Sequence, residues 1–162
     1  MGAVEQCAPW ETPVGTLLVS WGSGGVTGIA PPDLLVPRLG GRTPTPVERL
    51  PADLHDALDR RLRGEHVELD VDLRGLTPFA RDVLAAAGEI PFGEVRPYGW
   101  IAQEIGRPAA VRAVGSALGR NPVPVAVPCH RVVRTDGAVG HYAFGLPMKL
   151  QLLELEGVRR WR

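Results

Sequence analysis

Proline and glycine punctuate this chain into short segments: 16 of its 162 residues are Pro and 20 are Gly, scattered without a period among apolar stretches. That distribution argues against a collagen-like or disordered chain and for short elements joined by defined turns. With 44% hydrophobic and 22% charged residues, the composition is that of an ordinary globular protein, long enough for one domain or two small ones. No apolar run reaches the 18 or so residues of a membrane span, so none is expected. The beginning, MGAVEQCAPWETPVG, lacks a basic patch followed by an apolar stretch, which makes a cytoplasmic protein the expectation. Two cysteines, Cys7 and Cys129, cannot build a disulfide framework, and no Cys/His cluster has zinc-ligand spacing. Reduced thiols and no metal are expected.

The net charge of zero conceals an asymmetry. Residues 1–78 hold 7 Arg against 11 Asp and Glu, and residues 79–162 hold 10 Arg and one Lys against 7, about −4 and +4. A basic second half allows a polyanionic partner, although a difference of this size is also ordinary scatter between domains.

The pattern of apolar residues predicts an α/β module over 1–76 followed by a mainly helical domain over 77–162. In the first, TLLVSWGSGGVTGI at 16–29 reads as a hairpin around Ser23-Gly24-Gly25, and the proline-rich stretch 30–52 as a loop. Leu54, Leu58 and Leu62 recur every four residues on a helix, and Val67, Leu69, Val71 and Leu73 alternate with charges as a half-buried strand. In the second, Thr77-Pro78 opens a helix as N-cap and first helical residue. Short helices over 99–105 and about 109–118, separated by Gly106-Arg107-Pro108, suggest a helix-turn-helix. Ala109, Ala110, Ala113, Gly115, Ser116 and Ala117 give the later helix small side chains, suited to close approach by another surface or a neighbouring helix.

The chemistry concentrates after Asn121, in NPVPVAVPCHRVV. Val123, Val125 and Val127 alternate as on a short strand, with Pro124 and Pro128 stiffening it, so Cys129 is expected at a strand end with His130 next to it. A thiol with an ordinary pKa near 8.5 is mostly protonated at neutral pH, and a nearby imidazole or bridging water must take its proton. Neighbours on an extended strand point oppositely, so His130 reaches Cys129 only where the chain turns or water mediates. On these residues alone, a small core hydrophobe remains the commoner role for such a cysteine.

Four stretches in order, IPFGEV at 90–95 followed by Tyr98, IGRPAAVRAVGSALGRNPVPVAVPCHRVV at 105–133, DGAVGHY at 136–142 and KLQLLELEG at 149–157, resemble the O6-alkylguanine-DNA alkyltransferase family. TPVGTLLVSW and the segment before LRGLTPF resemble its less distinctive N-terminal domain. The resemblance implies that an alkyl group passes irreversibly from O6 of guanine, with O4 of thymine as a further lesion, to Cys129 in a single turnover without a cofactor. It implies His130 as the base reached through water, Glu156 as its orienter, Tyr98 as donor to the leaving guanine, and Asn121 as the tie between the cysteine loop and the DNA-binding helix. It also implies double-stranded DNA with a flipped nucleotide as partner, Arg112 as the finger replacing that nucleotide, and further contacts from Ala113, Ser116 and Arg120. Binding would occur in the minor groove, rest on phosphates and weaken with salt. The implied pocket is lined by Tyr98, Val132, Tyr142, Ala143 and Phe144, and a monomer is expected.

Phe144 departs from the family pattern, standing in GHYAFG where a glycine is usual. It is expected to narrow the pocket or strain a positive-φ position. Ala143 removes a polar side chain, and Pro97, Trp100 and Ala87 are also less usual, so altered handling of bulky groups such as benzyl is expected. Two other functions compete with alkyl transfer: a sensor that holds alkylated guanine without reacting, whose relatives lack the cysteine, and transfer from a small molecule.

Overall fold

The computed structural model describes residues 4–158. They form two compact units, one comprising residues up to Gly75 together with Pro122–Ala126, the other Leu76–Asn121 and the chain from Val127 onward. The boundary expected from the sequence, 1–76 and 77–162, places 122–126 in the second domain. In the structure Ile29 N–H donates to the Pro122 carbonyl at 2.9 Å and Arg61 donates to the Ala126 carbonyl at 2.7 Å, which holds those five residues in the first unit.

The first unit is built on a four-stranded sheet. Strands β1 (Gln6–Thr12), β2 (Gly15–Gly22) and β3 (Gly25–Ala30) are consecutive and antiparallel, and the two-residue β4 (Thr45–Pro46) adds parallel to β1, giving the order β3-β2-β1-β4. The expected hairpin is β2–β3, whereas β1 went unread because QCAPWET lacks clean alternation. Gly25 adopts φ +112° where the hairpin closes, and a Cβ there would strike the Asp70 carbonyl. Helix α1 (Leu35–Arg38) interrupts the expected loop and packs on β3, and α2 (Ala52–Leu62) turns Leu58 inward. Trp10, Leu17, Val19, Ile29, Leu35 and Leu58 fill the core, and the Trp10 indole N–H, buried with its ring, donates to Asp59 on α2 at 2.8 Å.

Residues 67–73 do not form the expected strand. Val67, Leu69 and Val71 are half-buried between exposed Glu68 and Asp70, so the alternation is real. Pairing is limited to a single parallel bridge of Val71 with Val26, through Val26 N–H to Asp70 O and Asp72 N–H to Val26 O. Apolar alternation records which side is covered, not whether a neighbouring backbone runs alongside.

In the second unit, α3 (Pro78–Gly88) is capped by the Thr77 hydroxyl, which accepts from Ala80 N–H at 3.1 Å. Residues 96–97 form β5 and lead directly into α4 (Tyr98–Glu104), which six residues with Gly106 at φ +74° connect to α5 (Val111–Gly119). Strand β6 (Val132–Val133) pairs parallel to β5, and α6 (Leu146–Leu155) closes the unit. Val83, Leu84 and Ala87 of α3, Ile101 and Ala102 of α4, Val114, Ala117 and Leu118 of α5, and Leu152 and Leu153 of α6 are buried. Each large aliphatic side chain among them contributes roughly 1.5–3 kcal/mol.

Candidate active site

Between α5 and β6 the chain turns instead of extending. Val123, Val125 and Val127 do not form a strand: the backbone reverses at 125–126, and Val125 stands at φ +75°, alone among the described non-glycine residues in having a positive φ. For a β-branched residue that conformation costs about 1–3 kcal/mol and persists only where its surroundings over-determine it. Alternating valines look the same in a strand and in a doubly covered turn. Val127 O accepts from both Asn121 Nδ2, at 3.1 Å, and Cys129 N–H, at 2.8 Å. Asn121, fully buried, thereby links the end of α5 to the residues entering the cysteine turn.

Cys129 opens a 3-10 turn, Cys129–Arg131, that leads into β6. The turn removes the opposed geometry that a strand would impose on Cys129 and His130. His130 is 1% exposed, and its Nε2 lies 2.7 Å from Glu156 Oε2. Burial lowers the imidazole pKa more than Glu156 raises it, so His130 is neutral at pH 7. Its Nε2 then carries the proton donated to the carboxylate. Nδ1 is left as the acceptor, buried and without a hydrogen-bond partner among the described residues.

Glu156 is fixed from several directions. Arg131 grips it in a fork, Nε to Oε1 at 2.8 Å and Nη2 to Oε2 at 2.9 Å, while Gly93 N–H donates to Oε1 at 3.2 Å. Burial alone would raise this carboxyl, but the hydrogen bonds from His130 and Arg131 outweigh it and bring the pKa down to about 2. Arg131 is itself held by the Ile90 carbonyl at 2.8 Å and lies over the Phe92 ring. Nothing in the residue pattern singles out Arg131 or Gly93, since one arginine among 17 carries no mark of what it grips.

A cavity of about 160 Å³, open to solvent, is lined by Tyr98, Cys129, Tyr142, Ala143 and His141 together with Gly115, Leu118 and Gly119 of α5. That is well below the roughly 300 Å³ at which drug-sized pockets begin. Burial raises the Tyr98 phenol above its ordinary value, and a thiolate at Cys129 adds to the effect, so the hydroxyl stays protonated. Gly140 is required beside it, because a Cβ there would sit 3.1 Å from the Tyr98 oxygen, at φ +80°.

Two residues expected in the pocket do not line this cavity. Val132 is fully buried in β6, and Phe144 packs edge-on against Tyr142 with ring centroids 5.6 Å apart at 83°. Nor is Phe144 strained, since its φ is negative. The glycine pattern is replaced by an aromatic pair instead of a blocked pocket.

Lys149 was not anticipated. It is fully buried on α6 and donates to the Val132 carbonyl at 2.7 Å and the His141 carbonyl at 3.0 Å. Burial brings its pKa down to about 8 against the attraction of a Cys129 thiolate, so it remains charged at neutral pH. On α5, Arg112, Ala113 and Ser116 are exposed, as is Arg120 just beyond it, with Val114, Ala117 and Leu118 facing inward. The helix therefore presents a face of small side chains with arginines at both ends.

The model of the 6-O-methylguanine DNA methyltransferase DNA binding domain matches residues 78–158. A methylated-DNA–protein-cysteine methyltransferase of Mycobacterium tuberculosis is 49% identical over 106 residues, 64% of either chain, so that match spans a little under two thirds of the relative. One from Mycobacterium leprae is 38% identical over 157 residues, 93% of this chain and 91% of its own. The crystal structure of Mycobacterium tuberculosis OGT in complex with DNA superposes with a TM-score of 0.80 at 36% identity, covering 93% of this chain and 92% of that one. The O6-methylguanine-DNA methyltransferase from Pyrococcus kodakaraensis gives 0.74 at 30% identity, over 96% and 100%.

Proposed function

This chain belongs to the O6-methylguanine DNA methyltransferase family, and from that premise we propose that it repairs DNA by transferring the methyl group from O6 of guanine to Cys129, once per molecule. The observation that carries the reading is Cys129 at the wall of a cavity of about 160 Å³, followed by a neutral buried histidine that a carboxylate holds by its far nitrogen.

The thiol proton passes through a water to Nδ1 of His130, whose Nε2–H is committed to Glu156. Sγ attacks the methyl carbon as the carbon–O6 bond breaks, and the electron pair of that bond goes to the guanine. The Tyr98 hydroxyl donates toward the departing base so that it does not leave as a full anion. Glu156, ionised across the physiological range, stabilises the imidazolium that forms. Lys149 supplies a positive charge beside the thiolate. The thioether is inert, which makes the protein a stoichiometric reagent.

The target atom is inaccessible inside a base-paired stack, so the nucleotide must be turned out. Arg112 fills the gap it leaves, and the small side chains of Ala113 and Ser116 let α5 approach the minor groove, with Arg120 on a phosphate. A reducing cytoplasm fits this chemistry, because the acceptor must be a thiol, and neither Cys7 nor Cys129 is in a disulfide.

Intact-mass measurement after mixing with an O6-methylguanine oligonucleotide tests the reading. A gain of about 14 Da located on Cys129 is expected from thiol methylation. Tight binding to the lesion without the gain would instead identify a sensor, and neither would point to a small-molecule donor.

A further inference from the structure

We propose that Arg61, on the last turn of α2, is a positioning residue for Cys129, acting through the strained loop 122–126. The inference rests on the alkyl-transfer reading above.

The backbone between α5 and the cysteine turn is a five-residue excursion. It leaves at Asn121 and returns at Val127, and the Asn121 side chain closes its neck by donating to Val127 O. Within the first unit the loop is pinned at both ends, by Ile29 N–H on the Pro122 carbonyl and by Arg61 on the Ala126 carbonyl. Between those pins sits Val125 at φ +75°, a conformation that a β-branched residue leaves unless it is held.

Arg61 suits the second pin. Its Nη1 donates to the Val67 carbonyl at 2.7 Å, which fixes the guanidinium, and its Nη2 donates to Ala126 O at 2.7 Å. A planar fork serves two carbonyls in one fixed geometry, which a lysine ammonium on its flexible stem does less well. Ala126 lies three residues before Cys129, and Cys129 N–H bonds to the carbonyl of the next residue, Val127. Releasing Ala126 lets Val125 relax toward negative φ, and the relaxation passes along the chain into the turn that aims the sulfur. Arg61 acts on the sulfur through the backbone of the loop.

The test is single-turnover methyl transfer by full-length Arg61→Ala, alongside the affinity for O6-methylguanine DNA measured in a Cys129→Ser background. Transfer should slow about tenfold, as a small misplacement of a reacting group does, with DNA affinity within about twofold because the DNA-facing helix is untouched. Adding Val125→Gly should restore most of the rate, since glycine holds positive φ without a clamp. A wild-type rate in Arg61→Ala, an equal loss of DNA affinity, or no recovery in the double variant would overturn the proposal. Should Arg61→Ala not fold, Arg61→Lys should give an intermediate rate, and a wild-type rate there would also overturn it. Should the wild type itself transfer no methyl group, the function reading fails separately. Carboxamidomethylation of Cys129 by iodoacetamide, followed by peptide mass, then decides: a slower reaction in Arg61→Ala supports the positioning role and an unchanged one removes it.

Discussion

Strand β1 and the turn at 127–131 each bury a cysteine outside any disulfide to nearly the same degree, 8% exposed for Cys7 and 7% for Cys129. Cys7 lies in a sheet, its sulfur 3.9 Å from the Pro44 carbonyl, and burial pushes its thiol up. Cys129 has a neutral imidazole as its next residue, a buried ammonium whose charge favours its thiolate, and a cavity at its side. Seclusion is common to both. On the proposed reading, what separates an inert sulfur from a nucleophile is the charge and the space arranged around it.

The contrast breaks outright if the wrong sulfur reacts. Cys129→Ala should abolish methyl transfer completely, and Cys7→Ala should leave it intact, both read by intact mass against an O6-methylguanine oligonucleotide. Next in size, Glu156→Gln should slow transfer about 100-fold by freeing the imidazole to adopt the wrong tautomer. It should also change acid stability. The carboxyl titrates at about 2 in the folded protein against 4.5 unperturbed, so its stabilisation is complete above about pH 4.5 and is lost as pH falls toward 2. Tm measured across that window should fall less steeply in the variant. Arg112→Ala should weaken lesion binding about tenfold while the chemistry of bound substrate persists, read as a Kd from a binding titration beside the single-turnover rate at saturating DNA. Phe144→Gly should have the smallest effect. It removes an edge-on contact worth about 0.5–1.5 kcal/mol from Tyr142 and should alter the benzyl-to-methyl rate ratio only a few-fold, because Phe144 does not line the cavity.

Much of this contrast is legible in the residues. The spacing of apolar residues finds α2 and α4, the Thr77-Pro78 start finds α3, the break at Gly106-Arg107-Pro108 sets off α5, and turn chemistry finds the β2–β3 hairpin. Cys129, His130 and Glu156 come from the resemblance, and two of them meet at 2.7 Å. The misreadings share a cause: the alternation at 67–73 and at 123–127 reports coverage, while the first segment makes one bridge and the second a left-handed turn. Lys149 was hidden for a different reason. A lysine among leucines on a terminal helix reads as the solvated stripe, and only the carbonyls of Val132 and His141, brought from elsewhere, make its burial tolerable.

The four hydrogen bonds converging on Glu156 come from Gly93, His130 and Arg131, between 25 and 63 positions earlier in the chain. In chain order the sulfur and its imidazole therefore precede the carboxylate that holds the ring. A polypeptide interrupted before residue 156 would hold Cys129 and His130 without the carboxylate that fixes the imidazole.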